Sequence, residues 1–254
     1  MKRILTLLAA FVALTSCRIE EAEYFDPTDN GSYLFRITNE TLASEAACAA
    51  RVMLFNLYYS APEEEREMLH DRYFYSSRIV RSGDEWRIID SDRELVIYTD
   101  GQSLSAKKGA AWRYKETQRY YPDGQLPTIT CCTDDAASPV YELLLPDGGG
   151  QLFFTVAYTS RPQENGSGLY LCELQIKGRG QYNYNKEYYG FEKIAYEIVE
   201  PLKFASNRPR GFSAGTLTLT TEIENDELNI QAEYAGSDYS VWISCSKYKK
   251  MFWY

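Results

Sequence analysis

Apolar residues recur in two different rhythms along this chain, and the change from one to the other divides it. Between residues 40 and 60, Leu42, Ala46, Ala50, Met53, Leu54 and Leu57 return at three- and four-residue intervals, which sets them on one face of a helix. Cys48, Val52, Phe55 and Tyr59 occupy the other side, so this helix is apolar around most of its circumference and needs cover on two sides. Asn39 stands at the N-cap position, and Tyr33–Thr38 before it reads as a short strand. Ser60 and Glu63 have capping-box spacing around Pro62, which predicts a second helix to about Arg72. Glu63, Glu64 and Glu65 then match the positive end of its dipole.

From Tyr75 the rhythm shortens to two. Ser77–Val80 and Trp86–Ile89 flank a Ser82–Glu85 turn; Leu95–Thr99 and Ser103–Ala106 flank Asp100-Gly101; Trp112–Thr117 follows. The later strands are Tyr141–Leu145, Gln151–Tyr158, Leu169–Lys177, Tyr182–Asn185, Lys193–Val199, Thr216–Ile223, Leu228–Tyr234 and Tyr239–Cys245. The glycine runs Gly148-Gly149-Gly150 and Lys177-Gly178-Arg179-Gly180 read as turns; neither has the strand–glycines–helix order of a phosphate loop. Residues 122–139 hold three prolines and form the longest irregular connection, a boundary between subdomains 33–135 (helix pair plus β-meander) and 136–254 (antiparallel β). The class is α+β, predominantly antiparallel sheet, as a sandwich, partial barrel or long meander with two N-terminal helices.

The N-terminal end carries a different signal. Lys2 and Arg3 precede an apolar run from Ile4 to Leu14, about half the ~20 residues a membrane-spanning helix needs. Leu14-Thr15-Ser16-Cys17 closes that run and resembles the lipobox of bacterial lipoproteins. The resemblance implies that residues 1–16 are a signal peptide and that Cys17 is lipidated and anchors the protein to a membrane, with 17–32 as an acidic tether. The cluster Glu20, Glu21 and Glu23 is similar to the surface-export signal of Bacteroidota-type outer-membrane lipoproteins; a merely solvated tether has the same composition. The implied location is the outer membrane, facing the periplasm or the cell surface.

Charge and composition narrow the partners. Loss of Lys2 and Arg3 takes the net charge from −9 to −11, 25 basic against 36 acidic residues, and an acidic chain with no basic run excludes nucleic acid. Besides Cys17 there are Cys48, Cys131, Cys132, Cys172 and Cys245, an odd number that leaves at least one thiol free or paired between molecules. Cys172 and Cys245 fall on core faces of strands, free or bridged to each other; adjacent Cys131 and Cys132 are unpaired thiols or a vicinal disulfide. No metal or cofactor motif is present.

The single histidine, His70, has no partner spacing and reads as a surface or boundary residue, which removes most nucleophile–base constellations. Carboxylate-only hydrolysis needs no histidine, but no pair among the 36 acids stands out. The candidate ligand surface is the strand Tyr182–Asn185. Tyr182 and Tyr184 share a face that suits stacking on sugars, with Asn183 and Asn185 as hydroxyl partners; cross-strand tyrosines that only stabilise a sheet have the same pattern. The aromatic end, Met251 to Tyr254, packs on the domain or offers a strand to a partner. These features imply a lipid-anchored, non-catalytic binding or accessory module whose ligand is a glycan or an envelope protein. A glycan hydrolase and a structural subunit of a surface assembly are the alternatives.

Overall fold

The computed structural model describes residues 27–253, apart from 103, 105–106, 118, 120, 122–123, 135–138, 147, 164–165, 185–186, 188–191, 205–211, 224–225, 235–239 and 246–247. Cys17 and the acidic cluster after it lie outside the described residues. Two helices, α1 (Pro27–Ser60) and α2 (Glu63–Tyr73), precede thirteen strands.

Helix α1 has 34 residues, about 51 Å at 1.5 Å per residue. It overturns the expected strand at Tyr33–Thr38 and the expected cap at Asn39. Leu34, Phe35, Thr38, Asn39 and Leu42 are all buried on one helical face, and that burial outweighs the strand preference of a Tyr-Leu-Phe run. Asn39 accepts a hydrogen bond at Oδ1 from the Tyr234 hydroxyl (2.6 Å), and Thr41 donates back to Ile37 O (2.9 Å) as a residue inside a helix does. Arg36, Glu40 and Ser44 form a narrow exposed stripe; the rest of the circumference from Leu34 to Asn56 is buried or half-buried. The two-sided cover expected of this helix is present. The capping box is not formed: Ser60 Oγ donates to Leu104 O instead, and α2 starts after Pro62 without a side-chain cap, its three glutamates filling the first turn.

The strands run β1 (Arg78–Ser82), β2 (Glu85–Ile89), β3 (Glu94–Tyr98), β4 (Ala111–Glu116), β5 (Thr128–Cys131), β6 (Val140–Leu145), β7 (Gly150–Gln163), β8 (Gly166–Asn183), β9 (Lys193–Phe204), β10 (Ala214–Ile223), β11 (Asp226–Tyr234), β12 (Ser240–Cys245) and β13 (Tyr248–Trp253). Each pairs with its sequence neighbours and all pairs are antiparallel, so they form one long meander with β1 and β13 as its edges. The fold is therefore α+β, and the sheet is not closed into a barrel. Alternate residues such as Tyr141, Leu143, Leu152, Phe154, Ile194, Tyr196, Val241 and Ile243 are buried, while Leu144, Phe153, Val199, Trp242 and Met251 face outward.

Two stretches differ from the sequence reading. The connection 122–139 contains β5, which pairs with β4 and β6, so strand pairing continues across it. Lys177-Gly178-Arg179-Gly180 is not a turn but the middle of β8, which fuses two expected strands. Glycine permits this by close approach. A Cβ on Gly178 (φ +135°) would sit 2.1 Å from Gln151 O, and one on Gly180 would sit 2.3 Å from Gly149 O. The aromatic end packs as edge strand β13, with Phe252 against the core. Three of the expected Ser103–Ala106 strand residues lie outside the described residues, and Leu104 is buried outside any strand.

Helix α1 crosses the sheet. Its first half lies under β11, where Phe35 meets Tyr234 (5.7 Å between ring centroids). Its second half lies under β2, where Phe55 and Tyr59 meet Trp86 at 5.4 and 5.0 Å. No described helix is long and apolar enough to cross a membrane.

Candidate functional site

Midway along this crossing, beneath the β6–β7 turn, helix and sheet part to leave a cavity of about 880 Å3. Helical spacing aims Glu40, Thr41, Ser44 and Glu45 of α1 at it. Arg119 and Tyr121 come from the β4–β5 connection, Leu145, Pro146 and Gly149 from the β6–β7 turn, and Gln181, Tyr182 and Asn183 from the end of β8.

A buried ionic cluster forms one wall. Arg119 Nη1 lies 2.5 Å from Glu45 Oε1 and its Nε lies 3.0 Å from Glu116 Oε2, with all three side chains 16–17% exposed. Arg119 Nη2 donates to Ser44 Oγ, the Tyr114 hydroxyl donates to Glu45 Oε2 (3.4 Å), and the Glu116 amide donates to the Tyr121 hydroxyl (2.8 Å). Burial pushes the Glu45 carboxyl above the usual carboxylate range, against the lowering pull of Arg119. Burial acts to lower Arg119, but the Glu45 carboxylate beside it holds the guanidinium above its usual range. Burial also pushes Tyr121 up to about 12 and holds Tyr114 well above an ordinary phenol. Cys48 is buried and its thiol is pushed up by desolvation, the opposite of an activated nucleophile.

The residues singled out in the sequence reach this cavity in part. Tyr182 is half-buried and lines it, but its ring already stacks on Tyr196 (5.1 Å, 22° between planes), whose hydroxyl donates to Gly149 O at 2.8 Å. Tyr184 meets Tyr182 edge-on (6.5 Å, 69°), so the two rings do not make a flat platform. Asn183 is exposed and lines the cavity, where its Oδ1 accepts from Gln181 Nε2 (3.0 Å). Asn185 lies outside the described residues. Cys48, Cys131 and Cys132 are free thiols, so no vicinal disulfide forms, and the side chains of Cys172 and Cys245 lie outside the described residues. His70 is half-exposed, 3.6 Å from Asp71.

Glu45, Arg119 and Glu116 were not expected from sequence. One signal was present: Glu45 is a charge within Leu42-Ala43-Ser44-Glu45-Ala46-Ala47, on a helix that is apolar around most of its circumference. Nothing local marks Arg119, which meets Glu45 only through the fold.

The lining offers hydroxyls, carboxamides and the carboxyl groups of Glu40 and Glu45, and its one cation among the described residues, Arg119, is held by two carboxylates and Ser44. Such a surface suits neutral, hydroxyl-rich ligands and disfavours anions. Comparison with protein-family models, curated proteins and solved structures finds no match to this chain.

Proposed function

We propose that this protein is a lipid-anchored outer-membrane lipoprotein that acts as a non-catalytic binding module, taking part of a glycan into the cavity beside α1. The carrying observation is the lining: Thr41, Ser44, Gln181 and Asn183 supply neutral hydrogen-bonding groups around the Tyr121 and Tyr182 rings. The resemblance of Leu14-Thr15-Ser16-Cys17 to a lipobox supports the location. The test is a glycan-array screen of the purified protein, repeated with Gln181→Ala combined with Asn183→Ala. Gln181 is half-buried and Asn183 exposed, and neither belongs to the apolar core, so the variant keeps the core. Binding that weakens about tenfold or more, roughly 1.4 kcal/mol, supports the site. Binding unchanged by the double variant overturns the site, and a blank array overturns the ligand class and turns the search to envelope proteins.

One observation favours a second reading, a carboxylate-dependent glycan hydrolase. Glu45 lines the cavity with its carboxyl raised by burial, as a general acid requires, and Glu40 lines the same cavity about one turn away. Against it, Glu45 is tied to Arg119, and Glu40 is paired to Arg36 at 3.0 Å. Release of reducing sugar by the wild type and its loss in Glu45→Gln would select this reading.

A further inference from the structure

Helix α1 fixes which end of the molecule an anchored Cys17 holds near the bilayer. Its first half lies beneath β11–β13: Phe35 packs on Tyr234, Asn39 bonds Tyr234, and the helix also touches β12 and β13. Pro27, where α1 begins, precedes Phe35 by about 12 Å along the axis at 1.5 Å per residue. Residues 18–26 alone separate Cys17 from Pro27, and the chain between these two residues spans at most about 35 Å. The other end of α1, where Phe55 and Tyr59 meet β2, lies about 42–48 Å from Pro27 along the axis. The β11–β13 end is thus the one within reach of the lipid.

The outward face of that end carries Trp242 and Met251, cross-strand partners that are 38% and 36% exposed. Lys249 Nζ sits 5.4 Å from the centre of the Trp242 indole on the same face. Tryptophan beside an apolar side chain, with a lysine reaching past it, is the composition of surfaces that sit at headgroup level. Charge does not bring this face to a bilayer. The mature chain is acidic, and Lys249 is paired with Glu233 at 2.8 Å. A patch this small binds lipid weakly on its own, and a covalent anchor supplies the local concentration that it lacks.

We propose that the outer face of β12–β13 around Trp242 and Met251 rests on the headgroup region of the membrane that holds Cys17, and so sets the orientation of the molecule on it. The proposal rests on the lipid-anchor reading of Cys17. The test uses the full lipidated protein in phospholipid vesicles, comparing tryptophan emission with and without lipids brominated near the headgroup. Trp112 is buried and Trp86 is half-buried against Phe55 and Tyr59, so Trp242 is the tryptophan with an exposed side chain among those whose side chains are described; the side chain of Trp253 lies outside them. The expected result is quenching of the wild type that is mostly lost in Trp242→Phe. It is also mostly lost in Met251→Asp, which keeps Trp242 but sets a charge beside it. No quenching in the wild type, or quenching unchanged in Trp242→Phe, overturns the contact. Intact mass reads the anchor separately. A diacylated chain beginning at Cys17 without quenching refutes the contact alone, whereas a chain without lipid refutes the anchor and the proposal with it.

Discussion

Glu45 enters the interior beside Ala46 and Ala47, and its ionised form is stabilised there by Arg119 and by the Tyr114 hydroxyl. Its raised carboxyl means that the folded chain holds the proton more tightly than the unfolded chain does. The contribution to stability is therefore complete below the ordinary carboxyl range and is lost as pH rises through the folded value. Urea denaturation from pH 4 to 8 is expected to show this decline in the wild type and a flatter profile in Glu45→Gln, which is at least as stable at pH 7. A wild-type profile that rises over this range would contradict the burial argument. Arg119 is the asymmetric partner. Arg119→Gln leaves two carboxylates buried beside each other, at a cost of about 3–5 kcal/mol in the same assay. A loss of under about 1 kcal/mol would mean that the guanidinium does not hold the cluster together. At this scale the sequence exposed Tyr182 and Asn183, because a strand's alternation is local. It did not expose Arg119, whose role depends on contacts 74 residues away in the chain with Glu45.

At the level of elements, most strands were legible because inward apolar residues recur at every second position, as Tyr141, Leu143 and Leu145 do in β6; β5, only four residues long, was hidden in the expected irregular connection 122–139. The start of α1 was not legible, because Tyr33–Thr38 has strand-forming residues and is made helical by the sheet it packs on. The glycines of β8 were misread for a related reason: a glycine in a turn and a glycine beneath a crossing strand look alike in sequence. Gly178→Val is expected to lower stability by about 2–6 kcal/mol, since it adds backbone strain at φ +135° to a clash with Gln151 O; a near-neutral thermal melt would refute the close approach. A second element-level device ties α1 to the β2–β3 turn. Arg51 and Ser77 both donate to Asp90 Oδ1, at 2.7 and 2.6 Å. Desolvation acts to raise the Asp90 carboxyl, but these bonds prevail and hold it below its usual value. Its contribution is thus present at neutral pH and is lost as pH falls through that lowered value. Arg51→Leu is expected to cost about 1.5–3 kcal/mol at pH 7, and less under acid conditions.

The molecule as a whole is an open meander, and an open meander has two edges on which another copy can continue the sheet. Here β1 presents Arg78 and Arg81, and β13 presents Lys249 and Lys250. Head-to-tail growth through β1 of one copy and β13 of the next brings like charges together, which weighs against the reading of this protein as a self-assembling surface subunit. The charges are exposed and screened by salt, so the repulsion belongs to low ionic strength, where the Debye length is ~30 Å at 0.01 M. Reversing one edge tests whether it is charge that keeps the edges apart. Arg78 makes no side-chain hydrogen bond or ion pair among the described residues, while Arg81 reaches Gly83 O and lies over Trp86 (5.3 Å), so Arg78→Glu alone is the cleaner change and Arg78→Glu with Arg81→Glu the stronger one. Either makes β1 complementary to β13 of a neighbouring copy. Sedimentation of the single and double variants in low salt is expected to show association that grows with concentration and with the number of reversed charges. The association disappears at about 0.5 M salt, where screening is nearly complete. Variants that remain as dispersed as the wild type in low salt would show that edge geometry, not charge, keeps β1 and β13 unpaired. Association that persists in high salt would point instead to apolar contact between the exposed faces around Leu144 and Phe153 or Trp242 and Met251.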